Sequence, residues 1–532
     1  MSPKSTLLPW LAGVVTSAAG PASEPNWEAL GRRWWAHVQV LADARMEGRE
    51  TGSPGFARAA DYVTQQFRSA GLQPAGTEGF LQPMDFEVAR LDPAQTSLEL
   101  VGKEGARPVA LGQDACHVVS SATVGEFDAE AVFVGYGLSI PELKYDDLAG
   151  IDLHGKIAVL VRGGPSNLPS PLLAHFQSPQ ERVNALRRAG AIGLVAIPNP
   201  TIPELPWPRL VSGLLMSRME LRDPGPDGYH PPSVHIAFNP DSMALLFEGS
   251  GHDSKEVLSK LATVHPLPRF PLAMRLRGRV GVTRATARSH NVVGVLPGSD
   301  PVLKDEYVVV SAHLDHLGIG TPVNGDPIYH GAIDNASGVA SILEIARSIH
   351  DSRINPRRSI LFLALTGEEK FLLGSEYFAG HPTVAGPIVA NVNIDGVWSM
   401  FPFRAMEVLG VEESTLGDDI RKIASKAGVE VHTAYEPDRV LFIRSDQYNF
   451  IKKGIPALFP GIGYARGSPE EKLAHEWTRV RYHSPADDAN QPVDSAAAAR
   501  FNNLQRELVV TVANSDRRPA WKPESFFGRF AH

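Results

Sequence analysis

At 532 residues, with 43% hydrophobic and 21% charged side chains, the chain is too long for one ordinary core, and two or three domains are expected. Its net charge of −8, without a Lys/Arg run, excludes the basic footprint of a nucleic-acid binder. Its one cysteine, Cys116, allows no intramolecular disulfide and no multi-cysteine zinc site, so any metal must be held by His, Asp and Glu.

The first residues, MSPKSTLLPWLAGVVTSAAGPAS, combine Lys4, an apolar stretch from Leu7 to Val15 and small residues at Ser17, Ala18 and Ala19. That layout predicts a secretory signal peptide over 1–22 and an exported protein. No other segment has the roughly 18 uninterrupted apolar residues of a membrane span. Phe56, Ala59, Ala60, Val63, Phe67 and Ala70 then fall at helical spacing, between Pro54 near the start and Gly71 as a C-cap.

From 98 to 283 the texture shifts to short β-like runs between turns. Strands are expected at 131–137, 155–164 and 191–200, a helix at 181–190, and a separate β-rich domain overall. After Ser289, strands alternate with helices. The strands are NVVGVLPG (291–298), EYVVVSA (306–312), SILFLAL (359–365), IVANVNI (388–394), MEVLG (406–410) and IPALFPG (455–461). Helices are expected at 336–350, 414–428 and 494–514. This alternation predicts an α/β fold with a mixed, mostly parallel sheet covered by helices on both faces.

In such sheets ligands bind beyond the carboxyl ends of strands. After EYVVVSA come His313, Asp315 and His316; Gly331-Ala332-Ile333-Asp334-Asn335 precedes a helix; Thr366-Gly367-Glu368-Glu369 follows SILFLAL; Asp395-Gly396 follows IVANVNI; and His483 stands in a late loop. Each has a plain structural explanation. Asp334 suits an N-cap, Glu368 and Glu369 suit the first turn of the EKFLLGSEYF helix, Asp395 suits a turn, and His483 suits the surface. Together, two His and three carboxylates are the N/O donor set of a site for two divalent metals.

This arrangement resembles the zinc-dependent exopeptidases of peptidase family M28. GRETGSPGFARAADYVTQQFRSAGLQP (48–74), SDQYNFIKKGIPAL (445–458) and YHSPADD (482–488) are similar to the family's segments, and the central block resembles the protease-associated domain that some members carry. The implied architecture is a phosphorylase/hydrolase-like zinc-peptidase sandwich with that β-rich insertion. Residues 23–97 and 284–515 would form the peptidase domain, 98–283 the insertion and 516–532 a tail. The resemblance implies that His313 and Asp395 bind one zinc, that Glu369 and His483 bind the other, and that Asp334 bridges them, with manganese or cobalt as alternative ions. Glu368 would be the general base, and Asp315 would orient the His313 ring. Tyr482 suits either an oxyanion donor or a core tyrosine. His316 and His330 suit outer positions, and Gln447 stands where many relatives have His.

His475-Glu476-Trp477-Thr478-Arg479 lacks the second His of a zincin helix. There is no G-x-S-x-G elbow, and Gly461-Ile-Gly463 meets Arg466 at the third fingerprint position. The activity that the resemblance implies is removal of N-terminal residues from peptides. A glutamate-carboxypeptidase-like activity is the alternative, with Arg439 or Arg444 facing an α-carboxylate, and a non-catalytic peptidase-like binding protein is a further one. The sequence sets no oligomeric state.

Overall fold

The computed structural model describes residues 25–202, 205–224, 228–261, 263 and 266–531; the signal-peptide pattern of 1–22 lies outside them. Helix α1 (Trp27–Leu41) opens on an Asn26 side-chain cap and buries Trp34, Val38 and Leu41 along one face. Helix α2 (Pro54–Ser69) is capped by Ser53, begins with proline and ends before Gly71 in the left-handed region, as the capping pattern predicts. Both pack on the same core as the later strands.

The chain then runs into a long strand, β1 (Leu81–Gly102). It continues through β2 (Ala115–His117), β3 (Glu126–Phe133), β4 (Ile157–Val161), helix α3 (Pro179–Arg188), β5 (Gly193–Ile197) and β6 (Val234–Phe238). A second long strand, β7 (Phe270–Leu296), leads back. Beyond it lie β8 (Tyr307–His313), helix α4 (Ser337–Asp351), β9 (Ser359–Leu365), helix α5 (Leu373–Gly380) and β10 (Ile388–Asn393). The order closes with β11 (Ala405–Leu409), helix α6 (Thr415–Lys426), β12 (Glu430–His432), β13 (Ala457–Gly463), helix α7 (Pro469–Val480) and helix α8 (Ser495–Asn514).

These strands share one sheet in the order β12-β11-β13-β10-β8-β9-β7-β3-β4-β5-β6-β2. Strand β8 lies parallel to β9 and β10, and β10 lies parallel to β13. At the other end β3, β4, β5 and β6 are mutually parallel. Strand β7 joins the halves: its first part pairs antiparallel with β3, its last residues pair with β9, and most of its length pairs with β1. Positions 98 and 283 both fall inside continuous strands, β1 and β7.

Two cores flank this join. Val308, Val310, Ile360 and Phe362 face α1, α2, α4 and α8, while Val309, Leu361 and Leu363 face Phe378 and Phe450 on the opposite side. Strands buried on both faces read as unbroken apolar runs, and each such side chain contributes roughly 1.5–3 kcal/mol. The second lobe has its own core around Phe133, Ile157, Val159 and Ile236. Among the described residues no helix is long and apolar enough to cross a membrane.

Candidate metal centre

The strand β8 ends at His313, whose buried ring stands at the carboxyl edge between β9 and β10. Its Nε2 is 3.1 Å from Asp395 Oδ1 and 3.3 Å from Asp334 Oδ1. The other Asp334 oxygen, Oδ2, is 3.2 Å from His483 Nε2, which is also 3.2 Å from Glu369 Oε2. Asp334 thus offers one oxygen to each imidazole. The five residues expected as ligands are brought together from five separate segments, the end of β8 and four others.

The plain structural roles considered for these residues are filled differently. Helix α4 draws its cap from Asn335 Oδ1, which accepts Gly338 N at 2.9 Å, so Asp334 is free to face the histidines. Helix α5 begins at Leu373, which leaves Glu368 and Glu369 in the loop before it. His475 is exposed on α7 and lies 3.8 Å from Glu436.

The supporting contacts explain the alignment. His313 Nδ1 lies 3.1 Å from the Asp315 carbonyl oxygen, whereas the Asp315 carboxylate is 3.9 Å away. This corrects the expected role of Asp315. Its peptide carbonyl orients the imidazole, while its buried carboxylate accepts the Glu368 and Glu369 amides at 3.1 and 3.3 Å and the Thr51 hydroxyl at 3.0 Å. Asp315 therefore places the glutamate loop. Ser445 donates to Asp395 Oδ2 at 2.6 Å. Asp487 accepts the amides of Ile333 and Asp334, which fixes the loop bearing the shared carboxylate; the Asp334–Asn335 peptide within it is cis. Gln447 is buried between Asn393 and the Phe442 carbonyl, so it belongs to this support.

Arg49 is fully buried and donates to the carbonyls of Leu41, Leu314, His330 and Gly331. The neighbouring Gly48 has φ 65°, and a Cβ there would lie 2.4 Å from the Tyr329 carbonyl oxygen. The GRETG segment therefore clamps two site loops. His330 spans Ala42 O and Asp326, away from the ligand set.

His316 was expected in an outer position, yet its Nδ1 lies 2.8 Å from Glu369 Oε1. It forms a cluster with Asp334 and Glu369, beside the cluster of His313, Asp334 and Asp395, with the ligand atoms of each cluster within 4.8 Å of one another. The two clusters share Asp334. Each oxygen of Glu369 consequently faces an imidazole, one on His316 and one on His483.

Charge in the site is strongly coupled. Burial would depress His483, but Glu369 and Asp334 push it up to about 10. His313 is likewise raised well above its ordinary range, because Asp395, Glu368 and Asp334 outweigh burial. Asp334 is held well below the usual carboxylate range: hydrogen bonds from His313 and His483 overcome the effect of burial. Glu368 goes the other way, raised by burial against the pull of His313, with Asp395, Glu369 and Asp446 adding to it. Burial, then Asp334 and Glu369, raises Tyr482 well above its ordinary value and keeps the phenol protonated. Its ring stacks on His483 at 4.0 Å, and its carbonyl accepts Arg209 Nη1 at 3.0 Å.

This donor set fits a divalent cation. Ligands about 2.1 Å from one ion in a tetrahedron lie roughly 3.4 Å apart, close to the 3.1–3.3 Å gaps seen here. The carboxylates also call for positive charge, which protonated imidazoles or a cation can supply.

Comparisons with known proteins agree with this reading. Residues 291–509 match the model of "Peptidase family M28". The chain is 26% identical over 225 residues to "Leupeptin-inactivating enzyme 1" of Streptomyces exfoliatus, covering 40% of this chain and 46% of that protein. It is 26% identical over 362 residues to "Probable glutamate carboxypeptidase VP8" of Zea mays, covering 64% of this chain and 47% of that one. The chain thus spans about half the length of these curated relatives. Among solved structures, the aminopeptidase from Aneurinibacillus sp. strain AM-1 shares the fold with a TM-score of 0.55 at 20% identity, covering 93% of this chain and 95% of that one. Residues 291–509, which hold all five expected ligands, are thus the part of the chain that matches peptidase family M28.

Proposed function

We propose that the chain is a two-zinc exopeptidase that removes N-terminal residues from peptides. The observation that carries this reading is Asp334, whose two oxygens face His313 and His483 separately while each histidine meets a further carboxylate, Asp395 or Glu369. His313 and Asp395 would hold one ion, Glu369 and His483 the other, and Asp334 both. Divalent ions bound there supply Lewis acidity toward a carbonyl and a water.

The protein's own groups account for the proton transfers. Glu368, fixed at its amide by Asp315, takes a proton from the attacking water as its oxygen adds to the scissile carbonyl. It returns that proton to the amine nitrogen as the C–N bond breaks. In this reading the Tyr482 phenol, held in its protonated form, donates to the developing oxyanion. His316 holds the second oxygen of Glu369 and so restrains that carboxylate from turning. Residues 98–283 serve in this reading as a protease-associated insert, and the pattern of 1–22 supports export.

A carboxypeptidase of the glutamate type is the second reading, favoured by Arg444 on the wall shared with Glu369 and His483. Arg439 supports it less, because it pairs with Glu436 at 2.8 Å. Peptides with free and acetylated N-termini separate the two. Turnover restricted to free N-termini is expected, and turnover of the acetylated peptide with none of the free one would contradict the aminopeptidase assignment.

A further inference from the structure

A cavity of about 580 Å³ runs from Glu369 and His483 into the second lobe. Its volume lies within the ordinary range for small-molecule sites. Leu210, Leu214, Met216, Leu317 and Tyr329 give it apolar walls. In the second lobe its wall carries guanidinium groups: Arg182 projects from α3, Arg162 follows the end of β4, and Arg218 also lines it.

Arg182 is the unusual member. It is 7% exposed, and its Nε and Nη2 are buried with no hydrogen-bond partner. Burial, with Arg162 adding to it, lowers its pKa to about 9 against the pull of Asp147. Asp147 cannot relieve it, since its carboxylate already accepts the Leu138 amide and the Tyr145 hydroxyl at 3.1 and 2.7 Å. Two other acids on the wall are also engaged. Glu87 pairs with Arg222 at 2.9 Å, and Glu220 accepts the Ser121 amide at 3.0 Å. A buried guanidinium left without an acceptor is costly, and a carboxylate matches its planar fork.

We infer that this cavity binds a short peptide whose carboxylate, either the C-terminal α-carboxylate or an acidic side chain, is received by Arg182. A peptide is favoured over a free inorganic anion because the cavity opens directly on Glu369 and His483 and also presents the apolar side chains of Leu210, Leu214, Met216 and Leu317. The inference rests on the peptidase reading and deepens it: the substrate class becomes short, carboxylate-bearing peptides.

Calorimetric binding to the full chain carrying Glu368→Gln tests this without turnover. The probes are Leu-Gly-Gly, its C-terminal amide, and Leu-Gly-Glu-amide. The acid should bind about tenfold more tightly than the amide, the worth of one charge-assisted contact. Adding Arg182→Gln should bring the two together, and Arg182→Lys should retain part of the preference. Tight binding of Leu-Gly-Glu-amide would identify the side chain as a source of the carboxylate. Equal binding of all three probes would overturn the inference, as would an undiminished preference in an Arg182→Gln protein with the parent's melting temperature. Failure of the unsubstituted chain to turn over any aminoacyl anilide would instead count against the peptidase reading, which leaves the two failures distinguishable.

Discussion

Two groups of parallel strands occupy the same sheet, and their interiors are alike. Residues 360–365 of β9 and Ile157–Val161 of β4 are both entirely buried apolar runs, packed on both faces. Their carboxyl ends differ. β8, β9 and β10 run into His313, Glu368-Glu369 and Asp395, whereas β4 and β5 run into Arg162-Gly163 and Pro198-Asn199. The sheet supplies two edges, and the residues just past each strand decide the chemistry. Residues from both edges line one cavity, Glu369 from the first and Arg162 and Pro198 from the second.

The largest expected effect separates reaction from scaffold. Glu368→Gln should lower turnover by roughly 10²–10⁴-fold while bound zinc, measured by elemental analysis, stays at the parent level; turnover near the parent's would remove the proton-transfer role. Next is Arg49, which serves only the acid edge. Arg49→Met leaves four carbonyls without their donor and should cost about 3–5 kcal/mol, read by denaturant unfolding. A loss confined to activity with stability unchanged would mean the clamp is not structural.

The second lobe's Asp147 gives the contrasting case of an acid buried outside the ligand set. Burial, opposed by its hydrogen bonds, raises its carboxyl to about 6 in the folded chain from the ordinary 3.8. The folded state then binds the proton more tightly than the unfolded one. Its favourable contribution is present below about pH 4 and is lost as pH rises through about 6, roughly 3 kcal/mol at 1.36 per unit. Asp147→Asn should flatten the fall in melting temperature between these pH values, and a parallel pair of curves would contradict the shift. The smallest effect is at His316. His316→Ala should weaken zinc affinity roughly 10–100-fold, measured by competition with a chelator, and an unchanged affinity would leave its contact with Glu369 without consequence.

The sequence made one edge far more legible than the means that hold it. Unbroken apolar runs pointed to β8, β9 and β10, and polar residues at the ends of these and other elements singled out His313, Asp334, Glu369, Asp395 and His483 as candidates, because element ends are local signals. Strand β1 and the part of β7 before Asn291 went unread, since Pro83, Pro93, Gly278 and Gly281 interrupt them and no local signal names a partner strand. In β7 the exposed Arg275, Arg277 and Arg279 alternate with buried Leu276, Gly278 and Val280, a period-two pattern that was available. Helix α1 likewise showed its stripe of Trp34, Val38 and Leu41. Contacts such as Arg49 to Leu314, Ser445 to Asp395 and His316 to Glu369 join residues far apart in sequence, so their roles emerge only once the sheet has brought the loops together.

The central claim is that the acid and imidazole edge works through a pair of metal ions. Its most direct measurement is hydrolysis of a leucine anilide by metal-stripped protein as zinc is returned in small increments. Turnover should be absent at the start and rise to a plateau reached at about two equivalents per chain. Turnover that survives stripping, or that reaches its full value at a single equivalent, would contradict it.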